Sequence, residues 1–152
     1  MDPFSAMIKA AKRQFIAAIV FNILFMILHL GFLVVGLIYL FNDAECDRPL
    51  ALFAFIYGLT SIPSQVFSST IPLIRGATDD KDRDKTVKTI GGVIGLFVLV
   101  WFIIFNVQTF GAEVCDTFLR DFCFWGIWSV YILVALAITV MCFLMCTAFK
   151  GL

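Results

Sequence analysis

Apolar residues run almost unbroken through about 15–41, 49–74, 90–111 and 122–149, and the polar residues gather in the short stretches between. Each run reaches the ~20 residues that a helix rising 1.5 Å per residue needs to cross ~30 Å of hydrocarbon. The pattern predicts an all-α membrane protein, a four-transmembrane-helix bundle that uses residues 1–152 as a single domain. The connections fall at 42–48, 75–89 and 112–121. The first run is too long for a cleavable signal peptide and lacks a small-residue cleavage site, so it reads as a retained anchor.

The second run departs from a lipid-facing pattern. At 100° per residue, Tyr57, Thr60, Ser61, Ser64, Gln65, Ser68 and Ser69 share one half of the wheel with Ala51, Ala54 and Gly58. Leu52, Phe55, Ile56, Leu59, Ile62, Val66 and Phe67 fill the other half or its edges. A helix facing lipid should be apolar all round, so the polar half must meet protein or water. Two readings stay open. The half lines a pore or an inter-subunit cavity, or it packs internally, its hydroxyls and amide serving the backbone carbonyls that Pro63 and Pro72 leave without donors.

Smaller stripes occur elsewhere. In span 1, Ala18, Asn22, Phe25, His29 and Gly36 share a face, with Asn22 and His29 seven apart. Hydrogen bonds within the bundle are expected for both, against pore lining or pH sensing by His29. Gly91 and Gly95 open span 3 with a small-xxx-small contact. In span 4, Ala135, Thr139, Cys142 and Cys146 predict a packing seam with the cysteines in its core; S-acylation is the other reading of those two.

Composition agrees: of 152 residues, 62% are hydrophobic and only 14% charged, far below the ~25% of soluble domains. The charge is asymmetric. Lys9, Lys12, Arg13, Arg75, Lys81, Arg83, Lys85, Lys88 and Lys150 fall on one side, Arg48 and Arg120 on the other. The excess of basic residues on the cytosolic side of membrane proteins predicts cytosolic termini and a cytosolic middle loop. Asp43, Glu45, Asp47, Glu113, Asp116 and Asp121 then give the outer loops a net charge of −4. Such an acidic mouth concentrates cations, more so when several copies surround one axis.

The remaining signals are local. Residues 1–14 predict a short interfacial helix with Lys9, Lys12 and Arg13 toward head groups. Asp80, Asp82 and Asp84 imitate the start of a calcium loop, but Lys85 replaces the turn glycine and Gly91 the closing glutamate; the segment reads as a solvated turn. Cys46, Cys115 and Cys123 are placed in the outer loops; Cys115 with Cys123 would close one loop, but a bridge from Cys46 to the second loop, to either cysteine, is expected. One histidine, no paired intramembrane carboxylates and no nucleophile motif exclude an enzyme, and no cofactor or bound metal is expected. No soluble basic domain exists for nucleic acid.

Two segments carry a family likeness. Cys46-Asp47-Arg48-Pro49-Leu50, with Phe53 and Gly58 following, and Val100-Trp101-Phe102-Ile103-Ile104-Phe105-Asn106-Val107, with an outer cysteine before span 4, resemble the transmembrane protein 272-like family of small four-span proteins. The resemblance implies four helices, cytosolic termini and a cysteine in each outer loop; it carries over no catalytic residue. The Asp79–Lys85 turn and the Ser/Gln-rich second span lie outside it.

The resulting expectation is a homo-oligomeric, cation-permeable and even Ca²⁺-permeable channel of about four to six copies, five as a working number. Tyr57, Thr60, Ser61, Ser64, Gln65 and Ser68 would line the pore, Phe67 would form a hydrophobic constriction, and Asp43, Glu45, Asp47, Glu113 and Asp116 an acidic vestibule. The alternative is an accessory or scaffold tetraspan bound to a larger membrane protein, with the same polar half meeting a partner helix. The endoplasmic reticulum and the plasma membrane both suit the chain.

Overall fold

The computed structural model describes residues 3–42, 46–70 and 81–150. Four α-helices follow in order: α1 Pro3–Phe41, α2 Leu50–Gln65, α3 Lys81–Phe110 and α4 Thr117–Lys150. A π-helical turn, Val66–Thr70, extends α2, and there is no strand among the described residues. The stretches Ala11–Phe41, Leu50–Ser69, Lys85–Phe110 and Thr117–Cys146 are each long and apolar enough to cross a membrane. The chain is a multi-pass, all-helical membrane protein.

Helix ends differ from the hydropathy pattern where charged residues are themselves good helix formers. α1 starts at Pro3, where a proline lacks no needed amide, and continues into span 1, so residues 3–14 are not a separate interfacial helix. α3 starts at Lys81, which makes residues 81–89 helix rather than part of a loop. Hydropathy marks where hydrocarbon ends; Lys and Arg keep the helix going beyond it. Asp79, Asp80 and Pro72 lie outside the described residues.

α1 packs most extensively on α2, α2 also meets α3, and α1 also meets α4, so the bundle runs in the order α3, α2, α1, α4. Glycine sets the α1–α2 approach. A β carbon at Gly36 would run into the backbone of Phe55 and Ala51, and one at Gly58 into Leu33 and the His29 carbonyl. The expected Gly91 and Gly95 contact is with α2: a β carbon at Gly91 would sit 3.5 Å from the Phe67 backbone, and one at Gly95 3.7 Å from Ser64 Oγ.

The core lies toward the end bearing the 46–49 and 111–116 connections. Phe32, Leu50, Ala54, Phe105, Leu119, Cys123 and Ile127 are wholly buried there. The two connections are joined by a Cys46–Cys115 disulfide. The Asp47 amide also donates to the Val114 carbonyl at 2.8 Å, and the Glu113 amide to Asp47 Oδ2 at 3.2 Å. Cys123 is not in this loop, as the sequence reading placed it, but a buried free thiol inside α4.

At the other end α4 stands apart. Its ring contacts with α3 pair Phe110 with Phe124 and Phe102 with Tyr131, and beyond Val130 no α4 residue with a described side chain is buried. Ala135, Thr139, Cys142 and Cys146 are exposed. The expected packing seam is therefore not formed among the described residues, where the α3–α4 ring contacts lie nearer the disulfide end.

Candidate functional site: a polar chamber between α1, α2 and α3

The polar half of α2 turns toward the Asn22/His29 stripe of α1, and the two satisfy one another. Asn22 Nδ2 donates to Ser69 Oγ at 2.7 Å, and Gln65 Nε2 to the Asn22 carbonyl at 2.7 Å. Gln65 Oε1 lies 3.1 Å from His29 Nδ1; an amide oxygen only accepts, so the ring carries its proton on Nδ1. His29 Nε2 is then left to accept from the Tyr57 hydroxyl at 3.4 Å. An unpaired polar group in hydrocarbon costs several kcal/mol, which this crosslinking avoids.

The π turn begins three residues after Pro63, the proline inside α2. Ser68 Oγ donates to the Ser64 carbonyl and Ser69 Oγ to the Gln65 carbonyl, each at 2.7 Å. These hydroxyls spend their protons on the backbone and keep their lone pairs. Thr60 does the same with the Ile56 carbonyl at 2.7 Å.

Beside this network lies a chamber of about 360 Å³. Its walls are Ala18, Phe21, Asn22, Phe25 and His29 of α1, Ser61, Ser64 and Gln65 of α2, Ser68 and Ser69 of the π turn, and Val98 of α3. From Ala18 to His29 it follows α1 for about 16 Å at 1.5 Å per residue. No Lys, Arg, Asp or Glu lines it among the described residues. Ser61 Oγ is buried beside Tyr57 with no well-formed hydrogen bond among the described residues, while Ser68 at the rim is exposed. The wall is mostly apolar, crossed by a row of hydroxyl, amide and imidazole groups from Asn22, His29, Ser61, Ser64, Gln65, Ser68 and Ser69, suited to water, a cation or a donor-bearing solute.

Beyond the chamber, toward the disulfide end, aromatic rings close the bundle. Phe32 meets Tyr57, Phe105 and Phe122 edge-on with centroids 5.3–5.5 Å apart, and Tyr57 meets Phe102 at 5.3 Å. Gly126 makes room: a β carbon there would strike the Phe32 ring.

Of the residues expected to line a pore, Ser61, Ser64, Gln65 and Ser68 line the chamber, with the intramembrane Asn22 and His29. Tyr57 belongs to the aromatic layer, Thr60 caps its own backbone, and Phe67 packs against Gly91. Ser69, placed by sequence on the polar half without a pore role, joins the lining, and Phe21 and the layer residues Phe32, Phe105 and Phe122 were given no role by sequence; the spans are too rich in phenylalanine for any one to stand out. Among the acids, Asp47 ties the two connections together, and Asp116 Oδ1 accepts from the Leu119 amide at 3.1 Å, capping α4. Glu113 is exposed. Asp43 and Glu45 lie outside the described residues. No group of three or more potential metal ligands occurs among the described residues.

Neither a family model, nor a curated protein, nor a solved structure matches this chain.

Proposed function

We propose that this chain is a cation-permeable membrane channel subunit whose inner pathway is the chamber between α1, α2 and α3. The carrying observation is the row of polar side chains, Asn22, His29, Ser61, Ser64, Gln65 and Ser68, along a cavity with no charged side chain among the described residues, sunk between helices that otherwise face lipid. In this reading the basic residues place both termini in the cytosol, so the chamber occupies the cytosolic half of the membrane. Hydroxyl and amide oxygens replace part of an ion's water shell there. The aromatic layer of Phe32, Tyr57, Phe102 and Phe105 is the closed hydrophobic gate, a role that sequence assigned to Phe67. Outside it, Glu113 and the acidic connections raise the local cation concentration. With no carboxylate among the described residues of the chamber, any preference for Ca²⁺ resides in the outer loops. Several copies assemble, each completing the open side of its neighbour's chamber.

The test is recording from purified protein in a planar bilayer under asymmetric KCl. Unitary currents reversing near the potassium potential, and reduced by Ser64→Leu, support this reading; silence from well-folded protein overturns it. The accessory role, in which the polar half of α2 meets a partner helix, is disfavoured by one observation: the Asn22, His29, Gln65 and Ser69 network closes within a single chain.

A further inference from the structure

The five cysteines occupy three environments. Cys46 and Cys115 are bridged, Cys123 is buried, and Cys142 and Cys146 are exposed on the unpacked part of α4. The last two are one helical turn apart and share a face. Among the described residues no other helix covers them, since no α4 residue with a described side chain is buried beyond Val130.

Their depth is set by the helix. Asp121, exposed and charged, marks the disulfide-end boundary of span 4. From there α4 descends about 32 Å to Cys142 and about 38 Å to Cys146 at 1.5 Å per residue. The hydrocarbon is ~30 Å thick, and an ordinary ~20° tilt shortens these depths by only about a twentieth. Cys142 therefore falls at the far edge of the hydrocarbon and Cys146 among the head groups, both on the side that carries the termini. Given the cytosolic orientation of that side, the thiols stand where acyl-CoA and the membrane surface meet.

We propose that Cys142 and Cys146 are S-acylation sites for long-chain fatty acyl groups. Each Sγ, on losing its proton, attacks the carbonyl carbon of a fatty acyl-CoA. A new carbon–sulfur bond forms as the bond to coenzyme A breaks, and coenzyme A leaves as the thiol, taking up the proton. One thioester replaces another, so no oxidant or reductant is needed. The acyl chains would lie along the apolar flank of α4, beside Ile138, Met141 and Met145, and pin its free end to the inner leaflet.

The full-length protein, carrying an epitope after Leu152, is expressed in eukaryotic cells. Free thiols are blocked, thioesters cleaved with hydroxylamine, and the released thiols given a mass tag. Two hydroxylamine-dependent shifts are expected, one lost in Cys142→Ser, one in Cys146→Ser and both in the double variant, while Cys123→Ser keeps both. Persistence of the Cys46–Cys115 bridge on non-reducing gels reports that each variant folds. An absent shift, a shift that survives the double substitution, or an epitope on the extracytosolic side overturns the assignment.

Discussion

Gly36 and Gly58 decide how closely α1 and α2 approach, and so whether Asn22 and His29 can reach Gln65 and Ser69 at all. Gly58→Ala places a methyl group inside the backbone of the neighbouring helix. Overpacking of that kind costs about 1–3 kcal/mol, so thermal unfolding in detergent should show a clearly lowered Tm. Gly92 has nothing within 4 Å of a β carbon; Gly92→Ala should leave Tm unchanged or raise it, since alanine favours a helix over glycine by about 1 kcal/mol. Gln65 joins two parts of α1. Gln65→Leu removes the bonds to His29 and to the Asn22 carbonyl, and a double-mutant cycle with His29→Leu should give a coupling of about 1 kcal/mol, in the range for polar pairs in membranes. Zero coupling would mean that the amide and the ring do not meet.

At the scale of elements, the four spans were legible because a helix in lipid must satisfy its own backbone and offer an apolar surface for its whole length. The two polar stripes were legible for the same reason. That they face each other was not, because a helical wheel shows a face without its neighbour. The Asn22–His29 spacing and the Ser61–Ser69 run each demanded partners, and only the close α1–α2 crossing at Gly36 and Gly58 supplies them. Cys123 was misplaced because the first turns of α4 are as rich in polar residues as the loop before them. The seam of Ala135 to Cys146 was misread because small residues permit close approach without compelling it. The disulfide joins connections separated by 69 residues. Loop-closure entropy limits its contribution to at most about 4 kcal/mol, and less here because inserted helices already restrain the chain. Cys115→Ser should lower Tm without abolishing insertion, and loss of the compact non-reducing gel band should accompany it.

For the whole molecule, the bundle is closed at the disulfide end and hollow toward the termini. In the channel reading, that polarity makes the aromatic layer the barrier and the chamber the waiting room. Phe105→Ala removes one buried ring from the layer. It should raise open probability severalfold in planar bilayers while lowering thermal stability, by about 3–5 kcal/mol for a fully buried phenylalanine. Unchanged gating would place the barrier elsewhere. The most direct test of the chamber as the conduction path is cysteine accessibility under recording. Ser64→Cys is made in a background of Cys142→Ser and Cys146→Ser and treated from the side of the termini with a small positively charged thiol reagent. Val93→Cys, on a face 68% exposed and away from the chamber, is the control. The account predicts that current through Ser64→Cys falls within seconds and that Val93→Cys conducts on unaffected. Currents through Ser64→Cys that persist after the thiol has reacted would contradict it.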